Sequence, residues 1–325
     1  MNQKIKGSLL CLTLCTSIAY SPTYAASATQ QTSAKTQISN YAQTKYPMVF
    51  AHGLFGFGSV IGVDYFYQIL PDLARNGGNV WSASVSPMNS SEIRGEQLLQ
   101  QVDEIIALTG QPKVNLIGHS HGGQSIRYVA GVAPNKVASL TTIASPNQGA
   151  KIADLVLNIE NTPLEYPVRA VFDSLVSPVI TFAQGLNPTE FPHDSKAALK
   201  SLSIAGSAAF NQRFPAGVPT AYCAEGAYST AGIYNYSFMG NNALNTVLDP
   251  SDYIAAAASL LINNGGDNDG VVARCDARFG KVIRDTYKWN HFDEINHVLG
   301  LKSIFAPSAV DIYRQHANRL KLQGL

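Results

Sequence analysis

Ser120 stands at the centre of Gly118-His119-Ser120-His121-Gly122. An apolar, β-forming run over 114–117 leads into that stretch, and Ile126, Val129 and Ala130 leave it with helix spacing. This is the sequence form of a sharp strand-to-helix turn that lifts one serine hydroxyl out of a sheet. Glycines are wanted on both sides because the backbones at 118 and 122 must come close, where a Cβ would collide. Ser120 would then sit at a helix N-terminus, whose unpaired N–H groups favour a developing oxyanion.

A serine hydroxyl is a poor nucleophile at neutral pH, so it needs a base within hydrogen-bond reach and a carboxylate to hold that base. After such an elbow the acid precedes the base in the chain. Among seven histidines, His291 in Trp289-Asn290-His291-Phe292-Asp293 follows a predicted strand and has polar flanks, and His297 is second choice. For the acid, Asp269 in Asp267-Asn268-Asp269-Gly270 occupies a tight loop between elements, with Asp267 as runner-up. The same loop could instead be a surface turn or a small cation site. An oxyanion hole needs two backbone donors: His121, after the nucleophile, and Leu54, after His52-Gly53 at the end of the first apolar strand.

These side chains must be positioned by a larger frame. The chain has 325 residues, enough for a large core, and a formal net charge of +1 gives no electrostatic case for nucleic acid. Only 14% of residues are charged, which suits a globular enzyme with an apolar cleft. Lys4 and Lys6, an apolar run over 9–19 and small residues after Tyr24 read as a signal peptide over 1–25. The run falls short of the roughly 20 residues a spanning helix needs. Its removal would take the formal charge from +1 to −1 and leave Cys223 and Cys275, a pair that an exported chain is expected to join.

Residues 26–44 are polar and read as a flexible leader, and 45–325 as one domain. Within it, strands are predicted at 46–51, 80–85, 114–118, 137–144, 233–239 and 281–283. Helices are predicted at 64–75, 91–109, after the elbow, at 252–262 and at 310–320, with a further element of unassigned type at 197–202. The helix at 91–109 is the clearest, with Leu98, Leu99, Val102, Ile105 and Ile106 on one face and Gly110 at its end. Alternation of strand and helix implies an α/β fold with a mostly parallel sheet, helices on both faces, and ligands beyond the C-terminal strand ends. Residues 152–186 carry apolar stretches broken by Pro163, Pro167 and Pro178; they read equally as packed helices or as a mobile lid over a cleft.

With these residues in hand, the chain resembles the secreted, calcium-binding true lipases of Gram-negative bacteria, the Pseudomonas/Burkholderia type of lipase family I. The matching stretches are Ala51-His52-Gly53-Leu54, Gly95-Glu96-Gln97-Leu98-Leu99-Gln100-Gln101-Val102, 114–123, Leu248-Asp249-Pro250-Ser251-Asp252, Asn268-Asp269-Gly270 and Asn290-His291-Phe292-Asp293-Glu294. The resemblance implies an α/β-hydrolase fold, a Ser120–His291–Asp269 triad, and Leu54 and His121 as oxyanion donors. It implies a Cys223–Cys275 disulfide. It implies one structural calcium on the carboxylates of Asp249 and Asp293 and the carbonyls of His297 and Leu301, a hard-oxygen set that suits this ion. Leu54 stands where relatives often have methionine, and His297 where they often have glutamine; both roles use backbone atoms.

The resemblance further implies a helical lid at about 163–186, action on triacylglycerols at lipid–water interfaces, secretion through the periplasm, and a membrane-bound foldase during maturation. Two alternatives stay open: a carboxylesterase or phospholipase on the same triad, or a catalytically silent lipid-binding module of the same fold.

Overall fold

The computed structural model describes residues 29–54, 56, 59–60, 63–159, 191–263 and 266–325. The signal peptide expected over 1–25 and the lid expected at about 163–186 lie outside the described residues.

In chain order the first half runs β1 (Thr29–Thr32), β2 (Met48–Ala51), a small hairpin of β3 (Ser59–Val60) and β4 (Val63–Asp64), α1 (Ile69–Arg75) and β5 (Val80–Ala83). It continues with α2 (Ser91–Thr109), β6 (Val114–His119), α3 (His121–Val132), β7 (Val137–Ile143) and α4 (Lys151–Asn158). The second half has α5 (Ser195–Leu202), α6 (Ile204–Arg213), β8 (Ser229–Thr230), β9 (Ile233–Gly240), α7 (Pro250–Asn263), β10 (Lys281–Tyr287) and α8 (Ala309–Leu322).

Among the described residues the main sheet has eight strands in the order β1-β5-β2-β6-β7-β9-β10, with β8 hairpinned onto β9. From β5 to β10 the neighbours are parallel. Every residue of β2, β6 and β7 is buried, as expected of central parallel strands covered on both faces. Alternation sorts their side chains: Met48 and Phe50 join the core under α1 and α8, while Val49 and Ala51 join the core under α2 and α3. Register then does the positioning. Ala51 pairs with Gly118, and His119 with Ile143, so the loops leaving β2, β6 and β7 emerge side by side.

Local signals explain most boundaries. The Ser90 hydroxyl caps α2 by accepting from the Ile93 N–H, and Gly110 closes it in the left-handed region at φ 67°. The disulfide Cys223–Cys275 joins the segment before β8 to the segment before β10.

Three expectations need correction. The leader is not separate from the domain from Thr29 onward. Thr29–Thr32 pairs antiparallel with Val80–Ala83, and the amides of Ile38, Ala42 and Lys45 donate to Arg75, Asn76 and Leu325. Backbone pairing of this kind leaves no apolar trace in a polar sequence. The helix expected from 64 begins only at Ile69, because Gln68 is left-handed at φ 60° and the Tyr67 amide is drawn to the Ile295 carbonyl. A second helix, α6, follows α5 directly, each capped by its own side chain, Asp194 and Ser203. No helix among the described residues is long and apolar enough to cross a membrane.

Candidate active site

Ser120 lies between β6 and α3 at φ 53° and ψ −127°, backbone angles that are strained for any residue with a side chain. Its neighbours show why the turn is glycine-rich. A Cβ on Gly118 would sit 2.4 Å from the Gly122 carbonyl oxygen, and one on Gly122 would sit 2.3 Å from that of Ala51. The Ser120 N–H donates to the Ile143 carbonyl at 2.8 Å, anchoring the elbow to β7. Gly53 backs directly onto the serine, since a Cβ there would lie 2.8 Å from the Ser120 Cβ. Leu54 is one peptide bond further on, and His121, the first residue of α3, directly follows Ser120.

The expected acid and base meet. His291 Nδ1 and Asp269 Oδ2 are 2.7 Å apart, and both side chains are buried. The second Asp269 oxygen accepts the Val271 and Val272 amides at 2.8 and 2.7 Å, and the Asp269 carbonyl accepts the His291 N–H at 2.9 Å. Gly270 makes that tight turn at φ 101°, where a Cβ would strike Ala255. With Nδ1–H donated to the carboxylate, Nε2 keeps its lone pair. The second-choice residues go elsewhere. His297 Nε2 meets the Asp64 carbonyl at 3.2 Å and its ring faces Tyr67, while Asp267 forms a surface pair with Arg274.

The structure adds residues that sequence reasoning missed. The His119 ring packs 4.5 Å, centroid to centroid, from that of His291. His119 Nε2 lies 3.4 Å from Glu294 Oε2, and its Nδ1 is 2.8 Å from the Tyr65 hydroxyl. Glu294 also accepts the Gly240 N–H. Burial, then the Asp269 carboxylate, push the Glu294 carboxyl well above its ordinary range; burial, then His291, push His119 well below its own. Their signal was positional only: His119 precedes the serine, and Glu294 is three residues past His291. By distance, His119, His291 and Glu294 also form a group able to hold a metal ion.

Two of the expected calcium ligands, Asp249 and Asp293, are buried, and Asp293 lies in the loop that carries His291. A third buried carboxylate, Asp252, joins them. Asp293 Oδ2 accepts the Asn290 N–H at 2.9 Å and the Asn245 side-chain amide, but Oδ1 is buried with no hydrogen-bond partner. Asp249 accepts the Ser251 amide at 2.8 Å and the Val298 amide at 3.4 Å, which brings the backbone after His297 to the same place. Burial, with the Asp252 and Asp249 charges adding to it, pushes the Asp293 carboxyl up to about 7. An orphaned buried carboxylate oxygen among like charges is what a missing hard cation leaves behind, so these residues fit calcium.

The chain matches the model of the α/β-hydrolase fold over residues 46–295. It is 48% identical over 287 residues to a triacylglycerol lipase of Vibrio cholerae, covering 88% of this chain and 90% of that one. It is 38% identical to a triacylglycerol lipase of Burkholderia plantarii, covering 88% of each. Its fold is shared with a lipase of Bacillus licheniformis in its mature form, at a TM-score of 0.58 and 19% identity over 80% of this chain and 89% of that one. The chain therefore belongs to the α/β-hydrolase fold family and, within it, to the bacterial triacylglycerol lipases of family I, which are serine ester hydrolases.

Proposed function

We propose that this chain hydrolyses triacylglycerols through an acyl-enzyme on Ser120. His291 Nε2 takes the Ser120 proton as Oγ attacks the ester carbonyl, and Asp269 holds the imidazole in the required tautomer. The carbonyl oxygen becomes an oxyanion that accepts from the Leu54 and His121 N–H groups. His291 then passes its proton to the departing glycerol oxygen as the C–O bond breaks. A water attacks the acyl-enzyme, again losing its proton to His291, and the acid is released with Ser120 restored. The observation that carries this reading is the 2.7 Å His291–Asp269 bond, on a ring packed against the residue preceding Ser120.

Ser120→Ala is expected to lose essentially all ester hydrolysis, a drop on the order of 10⁶ in kcat, while keeping its melting temperature. Retained turnover in that variant rejects the mechanism. The carboxylesterase or phospholipase alternative is separated by comparing rates on long-chain emulsions, short soluble esters and phospholipids. The silent-module alternative survives only if Ser120 fails to react with an organophosphate.

Calcium would be held by Asp249 and Asp293, with the carbonyls of His297 and Leu301. Bound there, it supplies charge compensation that pins the loop bearing His291, a structural role. Lys4, Lys6 and the apolar run at 9–19 support export through the periplasm, and the family resemblance supports a lid at about 163–186 and a membrane-bound foldase partner.

A further inference from the structure

Arg94 is the largest fully buried charged side chain among the described residues, and no described carboxylate pairs with it. An arginine keeps its charge in a protein, so burying one without a counter-ion is costly unless its donors are satisfied. They are satisfied by backbone carbonyls. Nη2 donates to His52 O at 2.6 Å and Gly53 O at 3.2 Å, Nη1 to Ser86 O and Pro87 O, and Nε to the Ser125 hydroxyl at 3.4 Å.

The Gly53 carbonyl belongs to the same peptide unit as the Leu54 N–H. In a trans peptide the two point in opposite directions, so fixing the oxygen aims the N–H. That oxygen is held three ways. Besides Arg94, the Gly56 N–H donates to it at 3.2 Å. The Val85 N–H donates to His52 Nε2 at 3.1 Å, so the His52 proton is on Nδ1, which donates to Gly53 O at 2.9 Å.

One turn earlier on the same face of α2, Ser91 does the equivalent for the other donor. Its hydroxyl donates to Gln124 Oε1 at 2.5 Å and accepts from His121 Nε2 at 2.9 Å, and Gln124 donates on to Pro146 O and Ser207. The turn is seated firmly. Gly95 lets α2 approach α3 until a Cβ would lie 2.4 Å from the Tyr128 ring, and Gln97 holds both the amide and the hydroxyl of Ser86.

We propose that the first turn of α2 braces the oxyanion hole, with Arg94 setting the 53–54 peptide and Ser91 setting His121 as positioning residues. The inference rests on the reading that Leu54 and His121 supply the two N–H groups. The Arg94 charge points the same way: with burial, it disfavours the protonated forms of His52 and His121, as a cation would favour an anion formed beside them. A frame fixed before the reaction need not reorganise when negative charge develops.

The test compares Arg94→Lys, Arg94→Met and Ser91→Ala on a short soluble ester. Active sites are counted by end-point titration with an organophosphonate, and affinity is measured for an alkyl boronic acid, whose serine adduct is a tetrahedral anion. Expected for Arg94→Met is a fall in kcat per titrated site on the order of 10- to 100-fold with KM nearly unchanged, somewhat less than deleting a donor outright. Boronate affinity should fall in proportion, and Arg94→Lys should recover part of both. Should Arg94→Met not fold, Arg94→Lys and Ser91→Ala carry the same comparison. Variants that lose stability yet keep kcat per site and boronate affinity within twofold overturn the brace. If in addition Ser120→Ala is inactive, only the brace fails; if Ser120→Ala still turns over, the underlying reading fails instead.

Discussion

Ser120 holds a conformation that glycine would take with ease, and a side chain there costs about 1–3 kcal/mol. The surrounding contacts impose it: Gly53, Gly118 and Gly122 are packed so closely that no relaxed path for the turn remains. Ser120→Gly should therefore be inactive but more stable than Ser120→Ala. The net gain is about 1 kcal/mol, since glycine also loosens the unfolded chain by roughly 0.5–1 kcal/mol. Paired denaturant titrations check the sign; a less stable Ser120→Gly would mean the turn is unstrained. The elbow was legible in the sequence because steric need writes itself as glycine. His119, Glu294 and Tyr65 were not, because their meeting depends on β6, the loop after β10 and the segment after β4 converging.

The loop after β10 carries His291, bonded to Asp269, and Asp293, which is buried as Asp249 and Asp252 are. Three buried acids in one place destabilise the cation-free fold, so a chelator should lower the melting temperature and the activity together. A cation at a hundred times its Kd would add about 2.7 kcal/mol. Asp249→Ala should be insensitive to chelator and already weakened; melting curves with and without chelator decide it, and a curve indifferent to chelator in the parent protein removes the site. The Cys223–Cys275 link, which spans 52 residues, ties down the neighbouring segment. Its reduction should cost about 2–4 kcal/mol by denaturant titration, and no measurable loss would mean the two segments are held without it. Long periodic elements such as α2 were readable end to end. The start of α1 was not, because tertiary bonds to Ile295 and a left-handed Gln68 outweigh local helix preference.

At the scale of the whole molecule, four buried histidines are pushed toward the neutral form. Burial is the main cause at each, and His52 and His316 are pushed down to about 3, with His119 and His121 also well below their ordinary value. The unfolded chain binds those protons near pH 6.5 and the folded chain does not, so stability is full above about pH 6.5 and falls as the pH drops toward 3. Each such histidine adds up to about 1.4 kcal/mol per pH unit to that slope. Denaturant midpoints measured from pH 8 to pH 4 should fall steeply below 6.5; a flat profile would show that these side chains gain protons without unfolding. A sequence alone cannot announce this behaviour, because a histidine in a loop looks the same whether it ends in water or under a helix.

The antiparallel ribbon made by Thr29–Thr32 has one more consequence. It shields the outer flank of Val80–Ala83, whose amides and carbonyls would otherwise face solvent as a template for another chain. Deleting those few polar residues touches no reacting group, so turnover should survive, but the trimmed enzyme should associate flank to flank at high concentration. Light scattering would see clumping that a bare count of catalytic side chains could never foretell.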